Sequence, residues 1–367
     1  FMTECMLSIS MVETLEIDGS MGEGGGQVLR TAVALSALLK KPVKVFNIRA
    51  KRSNPGLRPQ HLAAVKAVAS LTGARVEGLS VGSSQILFSP GEVKASDIEL
   101  DVGTAGSISL VLQAMMPVLA FSKREVTLVL KGGTDNPRAP PIDYVREVLA
   151  KNLSRMGYFV DISVERRGFY PRGGGIVRFK SKPVERLKPL LITDFPGLKS
   201  VKIFVYSSRL PRHVAERIAG SASSQIRSRL KVEPTVEYEV LSGEERNASL
   251  DPGCGILIIG TLEDDTVFAS SALGERGKPS EKVGGEAASE FIRQVEHRAP
   301  ADRNLADQLV VYAALADGVS ELRTHEVTLH TLTTIRLVEL FLPVRFEVYG
   351  EVGSPGGYRV SGAGFKR

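Results

Sequence analysis

The feature that most constrains the fold is an order of turns and helices that occurs twice in the first half of the chain. A glycine turn at residues 22–25 precedes one predicted helix, and a second at 103–106 precedes another, at a shift of about 81 residues. The dipeptides Asn54-Pro55 and Asn136-Pro137 repeat at a shift of about 82 residues. Hydrophobic periodicity around both copies predicts strand, helix, strand, helix, strand, strand. We therefore expect two copies of one βαβαββ unit.

The second half of the chain departs from this order and then returns to it. From residue 184 the alternating strands and helices predict a compact α/β domain of their own. From residue 300 the periodicity predicts a helix over 301–316, a strand over 322–329 and a helix over 332–342, which Pro343 ends. The last segment therefore has the pattern of a third, less regular copy of the unit.

These patterns predict an α/β (α+β) fold with two domains. Residues 12–183, with repeats one and two, and residues 300–367, with repeat three, are predicted to form the large domain, and residues 184–299 an inserted α/β domain. The 367 residues are 43% hydrophobic, which suits a chain that builds more than one core.

The sequence contains no pattern typical of a membrane span, a signal peptide or a cysteine cluster. No stretch approaches the roughly 18 consecutive apolar residues that span a membrane. Residues 1–11 lack the basic lead and long apolar stretch of a signal peptide. The two cysteines, Cys5 and Cys254, form neither a metal-ligand cluster nor a disulfide framework. We expect a cytoplasmic protein with no membrane partner.

Basic residues are clustered although the formal net charge is only +6. Such clusters suit a polyanion such as nucleic acid or a nucleotide, while solvated surface charge is the alternative for each. The clusters are Arg49, Lys51, Arg52 and Arg58; Arg166, Arg167 and Arg172; and Arg227, Arg229 and Lys231. In the first, arginines followed by Gln60-His61 offer planar forks for phosphate oxygens.

The glycine run before the first predicted helix allows close approach to a phosphate. It lacks the Gly-Lys-Ser/Thr ending of a Walker A loop, and Gln27 stands where a Rossmann motif has its last glycine. Successive glycines still let backbone N–H groups approach a phosphate, and Glu23 beside them is a candidate ligand for a bridging cation. A tight turn whose carboxylate is favoured by the helix dipole is the alternative.

Among the histidines, His330 is the strongest candidate for chemistry. It lies where a predicted strand gives way to a helix, beside backbone N–H groups that favour bound phosphate. For His61 a structural role at a helix start competes with a role as a base. The other three, His213, His297 and His325, have no acidic or cysteine partner at metal-ligand spacing and are interpreted as surface or structural groups.

A set of motifs that spans nearly the whole chain closely resembles the RNA 3'-terminal phosphate cyclases. The motifs are Gly22-Glu23-Gly24-Gly25-Gly26-Gln27-Val28-Leu29-Arg30, Arg49-Ala50-x-Arg52, Pro55-Gly56-Leu57, Gln60-His61-Leu62, Gly132-Gly133-Thr134-x-Asn136-Pro137-x-Ala139-Pro140-Pro141, Leu305-Ala306-Asp307-Gln308, and His330 ahead of Phe341-Leu342-Pro343-Val344-Arg345-Phe346. This resemblance implies three βαβαββ repeats with a smaller inserted, thioredoxin-like α/β domain.

The resemblance also implies an activity and a set of site residues. It implies ATP-dependent conversion of an RNA 3'-phosphate end to a 2',3'-cyclic phosphate, with release of AMP and pyrophosphate and with Mg2+ or Mn2+ as the divalent metal. The matching residues are His330 as the nucleophile that carries AMP on Nε2; Glu23, Gln113, Pro140, Asp307 and Gln308 at the adenylate site; Arg30, Arg49, Arg52, Gln60 and His61 around the phosphates and the RNA end; and Glu23 as a metal ligand.

One residue departs from the family pattern, and other functions compete. Asn304 stands where bacterial members often have tyrosine, which puts base stacking there in doubt. A non-catalytic RNA-binding ribosome-assembly factor of the same fold is the first alternative, and His330 argues against it because those relatives lack the nucleophilic histidine. An enolpyruvyl transferase built on related repeats is a weaker one. The partner is predicted to be RNA with a 3'-phosphate end, and a homo-oligomer is left open.

Overall fold

The computed structural model describes residues 12–94, 96–104 and 106–367 as a mixed α/β protein, so Cys5 and Ala105 lie outside the described residues. The strands are β1 (Leu15–Asp18), β2 (Val43–Phe46), β3 (Arg75–Glu77), β4 (Ile86–Ser89), β5 (Ile98–Asp101), β6 (Val126–Gly132), β7 (Phe159–Arg166), β8 (Gly175–Lys182), β9 (Leu191–Ile192), β10 (Leu198–Ser208), β11 (Thr235–Leu241), β12 (Gly253–Leu262), β13 (Val267–Leu273), β14 (Val319–Thr324), β15 (Phe346–Tyr349) and β16 (Gly356–Ser361). The helices are α1 (Gly26–Leu39), α2 (Pro59–Thr72), α3 (Ile108–Leu119), α4 (Ile142–Tyr144), α5 (Ala150–Arg155), α6 (Arg212–Leu230), α7 (Ser280–Glu296), α8 (Arg303–Gln308), α9 (Val310–Leu315) and α10 (Leu329–Phe341), and a π-helical turn, Val145–Leu149, joins α4 to α5. Within the described ranges, none of these helices is both long and apolar enough to cross a membrane.

Local sequence accounts for several helix ends. The side chain of Ser107 accepts a hydrogen bond from the Leu110 N–H (3.3 Å) at the start of α3. Helix α2 begins at Pro59, where a missing N–H costs no intrahelical bond, and ends before Gly73, whose φ of 60° is left-handed.

The first two sheets have the same strand order and the same pairing directions. One has the order β1-β2-β4-β3 and the other β5-β6-β8-β7. In each, the first two strands are parallel and the remaining pairs are antiparallel. A parallel pair requires a crossover, which α1 supplies in the first sheet and α3 in the second.

The third sheet has the same pattern but is built from two distant stretches. Its order is β15-β16-β14-β9, with β9 parallel to β14 and the other pairs antiparallel. Strand β9 lies within residues 184–299, the segment predicted to be the inserted domain, yet its Ile192 pairs with Leu322 of β14. The chain therefore starts the third sheet, forms another sheet, and then returns to complete the third.

The fourth sheet, β11-β10-β12-β13, is covered on both faces. One face, which includes Ile258, packs with α6 and α7 in a smaller apolar core that contains Phe291. Residues of the opposite face, such as Leu257 and Ile259, belong to the larger core formed by the other three sheets and their helices. Burial on both faces explains why β12 is a nearly continuous apolar run.

Two predicted boundaries near His330 are wrong by several residues, and one predicted helix is divided. The strand ends at Thr324 instead of residue 329, and the following helix begins at Leu329 instead of 332 because the Thr328 side chain caps it, accepting from the Thr331 N–H (3.1 Å). The single helix predicted over 301–316 is divided at Leu309 into α8 and α9.

Candidate active site

The glycine turn before α1 packs against the start of α10. Gly22 and Gly24 have left-handed φ values of 55° and 65°, which glycine adopts without strain. A methyl group on Gly22 would collide with the Thr333 side chain, and the Glu23 N–H donates to Thr333 Oγ1 (3.3 Å). The turn is therefore held close to α10, with Glu23 at the contact.

His330 lies in the first turn of α10 between two carboxylates. Its Nε2 is 3.1 Å from Glu23 Oε2, and its Nδ1 is 3.6 Å from Asp307 Oδ2. The imidazole is 46% exposed, whereas the Asp307 side chain is only 14% exposed. Three predicted site residues that are distant in sequence therefore meet here, and the ring keeps access to solvent.

Two residues that sequence reasoning did not assign to the site hold Asp307 and the start of α10. Gln27 Nε2 donates to Asp307 Oδ1 (3.1 Å), to the His330 carbonyl oxygen (2.8 Å) and to Thr334 Oγ1. Thr334 Oγ1 is also within hydrogen-bonding distance of Asp307 Oδ1 (3.0 Å). Two sequence features could have indicated these residues. Gln27 stands where a Rossmann motif has its last glycine, and Thr334 follows His330 by one helical turn.

The surroundings of His330 raise its pKa. The polar contact with Asp307 is the principal cause, and the negative charges of Asp307 and Glu23 add to it, whereas burial and the positive charge of Arg30 oppose it. Each ring nitrogen therefore has a carboxylate beside it, Asp307 next to Nδ1 and Glu23 next to Nε2.

His61 has a structural role at the start of α2, which was one of the two roles that the sequence left open for it. It is 2% exposed, and its Nδ1 accepts a hydrogen bond from the Arg58 N–H (3.0 Å) at the start of α2. Burial, followed by the charges of Arg30, Arg49 and Arg58, lowers the pKa of His61 to about 4. A methyl group on Gly26 would lie 2.6 Å from its Nε2. His61 is therefore neutral near pH 7 and fills the space beside α1.

The predicted phosphate-binding residues differ in what they contact and in how exposed they are. Arg49 Nη1 donates to the carbonyl oxygens of Asn54 (2.5 Å) and Gly56 (2.9 Å), so this arginine shapes its own loop. Arg52 Nη2 reaches the Glu23 carbonyl oxygen (3.4 Å) and thus borders the glycine turn. Burial lowers the pKa of Arg30 to about 10, and Asp307 opposes this effect. Gln60 is exposed in the first turn of α2.

The remaining predicted adenylate residues lie on other elements. Gln308 is buried at the end of α8, Gln113 is half-buried on α3, and Pro140 is half-buried in the loop before α4. No hydrogen bond within the described ranges joins these three side chains to His330, Asp307 or Glu23. Asn304 is exposed on α8.

The prediction that Arg167 belongs to a polyanion-binding cluster is wrong. Its side chain is 2% exposed and makes two hydrogen bonds to Asp143 (2.7 and 3.0 Å) and one to Glu239 (2.6 Å). The guanidinium also lies 3.8 Å from the centre of the Tyr206 ring. These partners saturate the arginine, so it joins β7 to the fourth sheet and does not face a ligand.

His325 has a structural position, in agreement with its interpretation as a surface or structural group, and its acidic partner is distant in sequence. Its side chain is fully buried, and Nε2 lies 2.7 Å from Glu290 Oε1, 35 residues away on α7. Glu290, His325 and Glu326 are close enough to offer ligand atoms to one metal ion. Two arginines already pair with the carboxylates, Arg293 and Arg303, both on Glu326 Oε2 at 2.7 and 3.1 Å. The positive charges disfavour a cation, so the group is a salt-bridge network that joins α7 and the start of α8 to the segment between β14 and α10.

Glu23 is the carboxylate that fits a divalent metal. Its Oε2 is buried and has no hydrogen-bond partner among the described residues, and it lies 3.1 Å from His330 Nε2. A buried carboxylate oxygen without a donor has its lone pairs available, and carboxylate oxygens are the ligands that Mg2+ and Mn2+ prefer.

Comparison with known proteins identifies close relatives. The family model described as RNA 3'-terminal phosphate cyclase matches residues 21–348. Proteins named RNA 3'-terminal phosphate cyclase are 48% identical in Desulfurococcus amylolyticus (354 residues; 96% of this chain, 99% of that protein) and 46% identical in Methanopyrus kandleri (341 residues; 93% and 97%). A solved enolpyruvyl transferase, NikO from Streptomyces tendae, is 15% identical over 46% of this chain and 33% of that chain, with a TM-score of 0.26, too low to bear on the fold or the function.

Proposed function

Because the chain belongs to the RNA 3'-terminal phosphate cyclase family, we propose that it is an ATP-dependent enzyme that converts an RNA 3'-phosphate end to a 2',3'-cyclic phosphate. One observation carries the proposal beyond the family name. The half-exposed imidazole of His330 lies between the Asp307 and Glu23 carboxylates at the start of a helix. This arrangement suits a nucleophile for a phosphate ester.

In the first step, His330 Nε2 attacks the α-phosphate of ATP. A nitrogen–phosphorus bond forms, the bond from the α-phosphorus to the bridging oxygen breaks, and pyrophosphate leaves. Asp307 holds the proton on Nδ1 and stabilises the positive charge that the ring gains. AMP is then carried on Nε2, the nitrogen distant from Asp307.

Two further transfers complete the reaction. An oxygen of the RNA 3'-phosphate attacks the α-phosphorus, the nitrogen–phosphorus bond breaks, and His330 is regenerated. The product is an RNA-adenylate in which AMP is a good leaving group. The neighbouring 2'-OH then attacks the 3'-phosphorus, AMP leaves, and the cyclic phosphate forms. This closure is intramolecular, and such proximity is worth roughly 7 to 11 kcal/mol of barrier.

ATP and a divalent metal belong to the same site in this proposal. Glu23, Gln113, Pro140, Asp307 and Gln308 are proposed to form the adenylate site. Glu23 is the residue proposed to hold Mg2+ or Mn2+, which when bound would neutralise charge on the departing pyrophosphate. The unpartnered Oε2 of Glu23 supports that assignment.

The RNA end is proposed to lie at the basic loop. Arg30, Arg49, Arg52, Gln60 and His61 are proposed to surround the phosphates, with the arginines providing charge and His61 the packing that places them. Arg52 is the best supported of the five because it reaches the Glu23 carbonyl oxygen.

We further propose that the three sheets of common order descend from one βαβαββ repeat, with a thioredoxin-like domain inserted in the third copy. In this division residues 12–183 and 300–367 form the large domain and residues 184–299 form the inserted domain. Strand β9 is the part of the middle segment that stays with the large domain, since it pairs with β14.

Labelling with α-labelled ATP tests the proposal. With Mg2+ or Mn2+, the protein should acquire label through an acid-labile, alkali-stable bond, and RNA with a 3'-phosphate should then release labelled AMP. His330→Ala should acquire none, while His213→Ala, which removes an exposed histidine on α6, should label normally. Equal labelling of the His330 variant would refute the mechanism. Salt-sensitive RNA binding without AMP release would instead favour a non-catalytic assembly factor.

A further inference from the structure

Helix α8 carries Asp307 but is too short to fix its own position. It has six residues, and isolated helices of this length are not stable in water. Asp307 is the fifth of them and lies 3.6 Å from His330 Nδ1. A small shift or rotation of α8 would therefore change the contact between this carboxylate and the imidazole.

The start of α8 is held by the carboxylate of Asp302, which bonds three separate parts of the chain. Its Oδ1 accepts from the Leu305 N–H (2.8 Å), which caps the helix, and from the Tyr144 hydroxyl of α4 (2.6 Å). Its Oδ2 accepts from the Ala269 N–H of β13 (3.0 Å). Asp302 is 2% exposed and Tyr144 1%.

This junction is more than an ordinary helix cap. A cap requires one bond from a side-chain oxygen to the first turn, whereas Asp302 also ties α8 to α4 and to the fourth sheet. The other end of α8 has a further tie, since the Tyr358 hydroxyl donates to the Ala306 carbonyl oxygen (2.6 Å). Charge-assisted bonds in a buried position are short and directional, so they restrict movement of the helix.

We propose that Asp302 is a positioning residue for adenylate transfer, because with Tyr144 and the Ala269 N–H it fixes α8 so that Asp307 faces the Nδ1 of His330. The inference rests on the proposed function, in which His330 carries AMP. It also assigns a task to the fourth sheet, which supplies the Ala269 N–H: this sheet supports a wall of the catalytic site without contributing a reacting group.

The pKa of His330 can distinguish a positioning role of Asp302 from a general effect on stability, because it depends on the charged groups that face the ring from each element. These groups are Asp307 from α8, Glu23 from the turn before α1 and Arg30 from α1. If α8 loosens, only the Asp307 contribution falls. The pKa of His330 should then move down toward its ordinary value, and the acid limb of adenylation should move to lower pH, since the neutral ring is the nucleophile.

The experiment uses Asp302→Asn and Tyr144→Phe in the full chain. NMR titration of the imidazole Cε1–H signals follows the pKa of His330 without ATP, and His330→Ala assigns its signal among the five histidines. Single-turnover labelling with α-labelled ATP gives the rate against pH. The matched control is Tyr158→Phe, which removes an equally buried hydroxyl whose partner, Ser181 Oγ (2.7 Å), lies away from α8.

We expect both variants to lower the pKa of His330 and to slow adenylation by about tenfold or more, since sub-ångström misplacement of a catalytic group has effects of this size. Tyr158→Phe should leave both quantities unchanged. If wild-type protein labels at His330 but the variants keep its pKa and rate, the inference is wrong. If the variants lose rate only through a smaller folded fraction, at an unchanged pKa, it is also wrong. If wild-type protein does not label at all, the proposed function fails, whereas the NMR shifts still decide whether Asp302 positions α8.

Discussion

Replacing Asp307 by asparagine should change both the pKa of His330 and the tautomer of its neutral ring. The amide oxygen can still accept from Gln27 and Thr334, whose bonds go to Asp307 Oδ1. The amide nitrogen then takes the place of Oδ2 and points an N–H at Nδ1. That arrangement makes Nδ1 an acceptor and moves the ring proton to Nε2, which removes the lone pair that attacks phosphorus.

The magnitude follows from the distance. A full charge 3.6 Å from Nδ1 interacts by about 1 kcal/mol in water and by about 5 kcal/mol at an effective dielectric constant of 20. Because the ring is 46% exposed, solvent screening keeps the effect near the lower figure, about 1 to 2 kcal/mol. The pKa of His330 should therefore fall toward its ordinary value, because the largest contribution that raises it is lost. Glu23 remains and keeps part of the shift.

The assay combines imidazole NMR titration with the pH dependence of adenylation. The acid limb should move toward lower pH, and the plateau rate should fall on the order of 10²- to 10⁴-fold because the wrong tautomer predominates. The matched control is Asp251→Asn, which changes a carboxylate that is 13% exposed, against 14% for Asp307, and that pairs with Arg172. A variant that keeps the wild-type pKa and plateau rate would refute the assignment of Asp307 as the group that orients His330.

Three other substitutions test the surroundings of the site. Gly26→Ala should lower the free energy of unfolding by about 1 to 3 kcal/mol and slow adenylation, because its methyl group would lie 2.6 Å from the His61 ring. The control is Gly220→Ala, at an exposed helical position with open space around it. In denaturant titrations this control should instead stabilise the protein by up to about 1 kcal/mol. His61 has a pKa of about 4 when folded and about 6.5 when unfolded, so the unfolded state binds the proton first as the pH falls. Wild-type stability should therefore fall by about 3 kcal/mol between pH 6.5 and 4. His61→Asn should remove this part of the acid sensitivity, and an unchanged pH dependence would contradict the burial argument. Arg167→Met should cost about 3 to 5 kcal/mol in urea unfolding because it removes the buried cation that Asp143 and Asp135 share, with Arg146 left as the partner of Asp143 alone. A loss below about 1 kcal/mol, the usual value for surface pairs, would show that the network is solvated.

Much of the fold was predictable because its signals are local. The glycine turns, Pro59 at the start of α2 and the apolar periodicity of α1 and α3 are short-range patterns, and the elements lie close to the predicted positions. The pairing of β9 with β14 was not predictable, since a strand of two residues has no periodicity and its partner begins 127 residues later. A distant partner of this kind is selected only when the sheets pack.

For the proposed site, the sequence by itself supplied the candidate groups: residue type and a place beside a turn or helix start indicated His330 and Glu23, and the family motif indicated Asp307. Tertiary structure alone decided how these groups meet and which others serve them. Gln27 bonds Asp307 from 280 residues away, and Asp302 bonds Tyr144 from 158. Packing also buried Arg167, which the sequence had suggested as part of a polyanion-binding cluster or as a solvated surface charge. The physical reason is that backbone propensity and capping act within a few residues, whereas burial and hydrogen-bond partners depend on which elements the completed core brings together.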